Sequence, residues 1–123
     1  MQMPHTKPLL ADRLVDFGGR VCALIRRAAR EPVLDAIHRQ LVRCATSPAA
    51  NYAEVRDSVS ARDYVHRMKI CVKELREALT WLQMTQRAGY RSTEVDALIA
   101  ECNELIAIAV TCVKKATTTN PRR

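Results

Sequence analysis

The chain has 123 residues, a formal net charge of +7, 27% charged and 48% hydrophobic residues, and few aromatics. This composition is that of one ordinary globular domain, and it argues against a disordered chain. No stretch reaches the roughly 20 apolar residues of a membrane span, and the first ten residues lack the apolar core of a signal peptide.

Apolar residues recur at alternating steps of three and four in four segments, which predicts four amphipathic helices. We expect them at about 11–30, 33–57, 60–88 and 93–116. The predicted core seams include Phe17 in the first, Val72, Leu75 and Leu79 in the third, and Leu105 in the fourth. Gly89 suits the cap that closes the third helix. Short connections make consecutive helices antiparallel, so the predicted fold is all-α, an up-and-down, left-handed four-helix bundle. Residues 1–10 are then expected to form a flexible arm, 11–116 the bundle domain, and 117–123 a flexible basic tail.

The first two helices each contain helix-disfavouring residues. Gly18 and Gly19 fall inside helix one, which indicates either a frayed start or the close approach of a neighbouring backbone. Pro48 falls inside helix two, but the apolar rhythm resumes at Tyr52, Val55 and Val59. One continuous, kinked helix is therefore favoured over two.

Helices three and four carry a second apolar stripe beside the core seam. It is either a wide core face or a contact between subunits, where tyrosine and tryptophan are favoured anchors. The oligomer-interface candidates are Tyr64, Cys71, Trp81, Ile99 and Ile106.

Helix three also carries a row of cations that does not overlap its apolar seam. The row is Arg62, His66, Lys69, Lys73 and Arg76, and it spans about 21 Å. Such a row is either a solvated face or a surface for nucleic-acid phosphates. Helix one adds Arg13, Arg20 and Arg27 at steps of seven. Because residues 1–91 hold 16 Lys/Arg against 9 Asp/Glu, we expect an RNA, DNA or acidic protein partner to meet the first three helices.

Catalysis and metal binding find little support in the sequence. Asn51 and Glu54 lie one turn apart, but no second acid or histidine matches them. We expect Glu54 to pair with an arginine such as Arg43 or with a helix terminus. Asp63 is expected to point outward, so the pairs Asp35/His38 and Asp63/His66 do not form a di-iron site. The prediction is a non-enzyme without cofactor or metal. Five widely spaced cysteines indicate free thiols and a cytoplasmic protein.

One segment of helix two resembles a known family. Its residues Gln40, Arg43, Ser47, Asn51 and Glu54 match the pattern of the four-helix-bundle proteins encoded in intervening sequences of bacterial 23S rRNA genes. Accessory variability determinants of diversity-generating retroelements belong to the same group. Val55 and Tyr52 depart from the glycine and isoleucine that the family pattern has there.

This resemblance implies a bundle that assembles as a ring-shaped homopentamer and has no enzymatic activity. Retroelement relatives bind nucleic acid and a reverse transcriptase through a basic surface. The function expected from the sequence is therefore a homo-oligomeric accessory factor that binds nucleic acid electrostatically. The alternative is a protein–protein adaptor whose basic face binds an acidic partner protein.

Overall fold

The computed structural model of the chain describes residues 9–119. Its elements are α1 (Leu10–Arg27), α2 (Pro32–Val55), α3 (Ala61–Arg87) and α4 (Thr93–Thr119). Each helix packs against its chain neighbours, and α4 closes the bundle against α1. The predicted four-helix, all-α fold is confirmed. The described residues contain no strand, and none of their helices combines the length and apolarity that a membrane crossing requires.

The helix ends follow from local side-chain chemistry. The Glu31 carboxylate accepts hydrogen bonds from the first free N–H groups of α2, those of Val33 and Leu34. Ser60 and Ser92 do the same for α3 and α4, with N–H to Oγ distances of 3.0 and 3.1 Å. Gly89 follows α3 with a φ of +106°, the left-handed conformation that glycine adopts without strain.

The two irregular positions have clear outcomes. Pro48 lies buried inside α2, which is continuous through it. A Cβ built on Gly18 would lie 3.2 Å from the carbonyl oxygen of Ala45, whereas one on Gly19 would meet nothing within 4 Å. Gly18 therefore marks the close approach of α1 and α2, and the frayed start is wrong because α1 begins at Leu10.

The core is one apolar cluster along the bundle axis. Its largest fully buried side chains include Phe17, Leu41, Met68, Leu75 and Leu98. All five cysteines are free, and burial raises the pKa of the Cys44 and Cys102 thiols to about 11 and about 12. These two thiols therefore stay protonated and behave as small apolar side chains.

Several predicted details need correction. On α3, Cys71 and Ala78 are buried, while the predicted seam residues Val72 and Leu79 are partly exposed. The core face of α3 therefore includes Cys71 and Ala78, which the periodicity had assigned to a second stripe. Val59 lies after α2 and is 91% exposed, so the apolar rhythm does not continue to it.

The predicted boundaries change by a few residues. Helix α1 ends at Arg27, three residues early, and α4 extends to Thr119, into the segment expected to be a tail. Of the predicted arm and tail, residues 1–8 and 120–123 lie outside the described part of the chain.

Candidate nucleic-acid interface

The row of cations on α3 forms one exposed surface, here called the basic stripe: Arg62, His66, Lys69, Lys73 and Arg76. All five side chains are exposed. None of them takes part in an ion pair within residues 9–119. The stripe therefore retains the full charge of its two lysines and two arginines for a partner outside the chain.

The acidic residues beside the basic stripe pair with other arginines. Glu77 accepts a hydrogen bond from Arg43 at 2.8 Å, and a Glu74 oxygen lies 3.9 Å from the same guanidinium. Asp63 accepts from Arg67 at 3.1 Å. These acids therefore neutralise arginines at the contact of α3 with α2 and form no ion pair with the basic stripe.

A groove adjoins the start of the basic stripe. It has a volume of about 290 Å³ and is lined by Arg62, Val65, His66 and Lys69 of α3 and by Thr117 of α4. Lys114 is exposed on the same end of α4. Two full positive charges at a concave, solvent-open surface suit an anionic group such as a phosphate.

The arginines of α1 have a different role. Arg13 forms two hydrogen bonds with Glu101, at 2.7 and 3.0 Å, and one with Glu104 at 2.8 Å. Arg20 forms two bonds of 3.1 Å with Glu94. These pairs raise the pKa of both guanidinium groups, and the hydrogen bonds from Arg20 lower the pKa of Glu94.

The prediction that α1 and α3 contribute to one basic surface is therefore wrong in its geometry. Helix α1 lies beside α2 and α4 and diagonally across the core from α3, so the two rows lie on opposite corners of the bundle. Arg13 and Arg20 hold α1 against α4. Arg27 is exposed at the end of α1 and forms no ion pair within the described residues.

The α2 motif faces α3 and is structural over most of its length. The Arg43 guanidinium bridges Gln40, at 3.0 Å, to Glu77, and Glu77 raises the pKa of Arg43. The Ser47 hydroxyl donates to the Arg43 carbonyl at 2.8 Å. Arg43 therefore links α2 to α3, whereas Gln40 and Ser47 bond within α2.

Glu54 pairs with an arginine, as expected, but that arginine is Arg67 and not Arg43. Arg67 approaches a Glu54 carboxylate oxygen at 3.4 Å and the Glu54 carbonyl at 3.3 Å. Asp63 does not point outward either, because it is partly buried and accepts bonds from Val59 N–H and Arg67. Both bonds lower the pKa of Asp63, and the bond from the Val59 N–H has the larger effect.

A polar cleft of about 260 Å³ brings these groups together. It is lined by Asn51, Glu54, Asp63, His66, Arg67 and Ile70. The structure thus places a second acid and a histidine beside Asn51 and Glu54, which the sequence spacing did not reveal. Both carboxylates are bound by Arg67, which ties them to the contact between α2 and α3.

The oligomer-interface candidates divide into two groups. Cys71 is 1% exposed, and its thiol donates to the Pro48 carbonyl at 3.7 Å. It is a core residue of the single chain and is wrong as an interface residue. Tyr64, Trp81, Ile99 and Ile106 are partly buried and pack against the core. Burial, with a smaller effect of Cys112, raises the pKa of Tyr64 to about 12.

Comparison with known proteins agrees with this architecture. A crystal structure from Bacteroides thetaiotaomicron, described as a protein of unknown function from the S23 ribosomal protein family, is similar with a TM-score of 0.78. The alignment covers 86% of this chain and 99% of that one at 23% identity, and so it concerns the fold. No curated protein matches the sequence. The model of the 23S rRNA-intervening sequence protein family matches residues 12–111, and the chain belongs to that family.

Proposed function

We propose that this protein is a non-catalytic, homo-oligomeric accessory factor of the cytoplasm that binds nucleic acid electrostatically through the basic stripe. The observation that carries the proposal is that all five stripe residues are exposed and without ion pairs within residues 9–119. Lysine and arginine side chains in this state can release counterions from phosphates on binding. Such a surface favours RNA or DNA without strong sequence preference.

The seams of the bundle support the homo-oligomer. The α1–α4 seam is bridged by Arg13 and Arg20, and the α2–α3 seam by Arg43 and Arg67. No ion pair joins α3 to α4 within residues 9–119, and these two helices carry partly buried apolar residues that pack against the core: Val72, Leu79, Ile99, Ile106 and Val113. An apolar edge of this kind suits a second copy of the chain, and the family resemblance implies a pentamer.

Charge reversal provides the test of the nucleic-acid proposal. We expect Lys69→Glu/Lys73→Glu to weaken binding of labelled RNA and DNA by about 100-fold or more at about 50 mM salt. Fluorescence anisotropy measures the affinity. The matched control is Arg87→Glu/Arg91→Glu, which makes the same net-charge change at two exposed positions outside the stripe.

Equal affinity of the stripe variant and the wild type would disprove the proposal. Equal losses in the stripe variant and the control would also contradict it, because binding would then follow net charge alone. Absence of any RNA or DNA binding, together with recovery of one specific acidic protein, would favour the adaptor function. The native mass and the ultraviolet spectrum of the purified protein test assembly and bound nucleic acid.

A further inference from the structure

The largest of the cavities described here lies away from the basic stripe, at the corner where α1 ends and α2 begins. Its volume is about 510 Å³, within the range typical of small-molecule sites. Apolar side chains including Ile25 and Val42 form part of its wall. The remaining wall carries Arg26, Arg30, Asp35, His38 and Arg39.

His38 is the unusual member of this wall. It is 4% exposed, and neither ring nitrogen forms a hydrogen bond within residues 9–119, with Nε2 fully buried. Its ring meets the ring of Tyr90 edge-on, with centroids 6.1 Å apart. Buried polar groups are nearly always hydrogen-bonded. The cavity wall therefore includes an imidazole without hydrogen bonds in the described part of the chain, and its Nε2 is enclosed by protein.

The charges around His38 favour an anion. Arg26 and Arg39 are exposed and form no ion pair in the described part of the chain, while Arg30 lies 3.2 Å from Asp35. Three guanidinium groups and one carboxylate leave two positive charges. The first free N–H groups of α2 bind the Glu31 carboxylate. Side chains, and not the helix end, would therefore hold the anion.

We propose that this cavity binds a phosphate monoester on a small, partly apolar body, of which a mononucleotide is the simplest example. Arg26 and Arg39 contact the phosphate, since guanidinium groups match its paired oxygens. The His38 ring and the apolar wall accommodate the body of the ligand. The phosphate can belong to a free nucleotide or to the terminal phosphate of a strand.

Nuclear magnetic resonance of protein labelled at histidine tests the proposal, with AMP as the probe. We expect the His38 ring signals to shift in a saturable way as AMP is added. Adenosine and inorganic phosphate each correspond to one part of AMP, and each should bind at least about tenfold more weakly than AMP. Arg26→Gln/Arg39→Gln should lower the affinity for AMP by about tenfold or more, because two charge-assisted contacts are lost.

The matched control is Arg56→Gln/Arg87→Gln, two exposed arginines that do not line the cavity. Unchanged His38 signals at about 10 mM AMP, or equal AMP affinity in both arginine variants, would overturn the proposal. Lys69→Glu/Lys73→Glu should retain AMP binding, which separates this site from the basic stripe. Oligonucleotides with and without a terminal phosphate distinguish a strand end from a free nucleotide.

Discussion

Arg13 and Arg20 of α1 and Lys69 and Lys73 of α3 form two rows of cations at helical spacing. In the fold they meet opposite environments. The α1 pair is bound by Glu94 and Glu101 of the adjacent helix, whereas the α3 pair is exposed and without ion pairs within residues 9–119. The spacing of charges along one helix therefore does not distinguish a structural row from a binding surface. The neighbouring helix decides it.

The largest expected stability effect concerns the α1 row. We predict that Arg13→Met lowers the free energy of unfolding by about 1–2 kcal/mol, because it leaves a partly buried Glu101 without its partner. Urea denaturation measures the change. Lys69→Met is the comparison, and it should stay within about 0.5 kcal/mol of the wild type.

The order of the two variants should reverse when nucleic-acid affinity is measured, with the loss in Lys69→Met. Arg13→Met is expected to bind RNA and DNA as the wild type does. An equal stability cost for both variants, or a loss of affinity in Arg13→Met, would remove the distinction between the rows.

The glycines of α1 provide a second comparison, of the inward and outward sides of that helix. Gly19→Ala should stabilise the protein by about 0.5–1 kcal/mol, since alanine is the better helix former and the site is open. Gly18→Ala should bring no such gain, because its Cβ would press on the Ala45 carbonyl. Thermal melting of the two variants checks this; equal stabilisation by both would show that the helices can separate.

The smallest expected effect concerns the pH dependence of stability through His38. Burial lowers the pKa of His38 below its ordinary value of 6.5, and the nearby Asp35 charge opposes this effect. His38 therefore binds a proton more readily in the unfolded chain than in the folded one. Its contribution to the free energy of unfolding is fully present above pH 6.5 and is lost as the pH falls below that value. Urea midpoints between about pH 7 and pH 5.5 should decline in the wild type and be flatter in His38→Gln.

The pKa values of Asp35, Asp63 and Glu94 are also lowered in the fold. Their contribution to stability is lost only as the pH falls below the ordinary carboxyl range, and so it does not overlap the His38 window. An equal decline in the wild type and His38→Gln would contradict the assignment.

The sequence was sufficient for the fold because heptad spacing shows which side of each helix is buried. It predicted Phe17, Leu75 and Leu105 as core residues, the continuity of α2 through Pro48, and the role of Gly89. Cys71 was misplaced because two adjacent stripes of α3 are both apolar, and only the packing of α2 and α4 around α3 selects between them.

The ion pairs were missed because their partners lie far apart in the chain. Arg13 and Glu101 are 88 residues apart, and Arg43 and Glu77 are 34 apart. A signal did exist for the α1–α4 seam. From Arg13 to Arg20 the residue number rises by seven, and from Glu101 to Glu94, their respective partners, it falls by seven. Paired residues on antiparallel helices follow this pattern. A search for opposite charges in such mirrored steps would have assigned the α1 row to the seam.

The salt dependence of RNA affinity tests the central claim most directly. The logarithm of the binding constant is measured against the logarithm of salt concentration for single, charge-removing variants. We predict that Lys69→Gln and Lys73→Gln each reduce the steepness of this slope by about 0.7–0.9, because each removes one phosphate contact. Arg13→Gln and Arg20→Gln should leave the slope unchanged. A wild-type slope in both lysine variants, with a reduced slope in the arginine variants, would contradict the central claim.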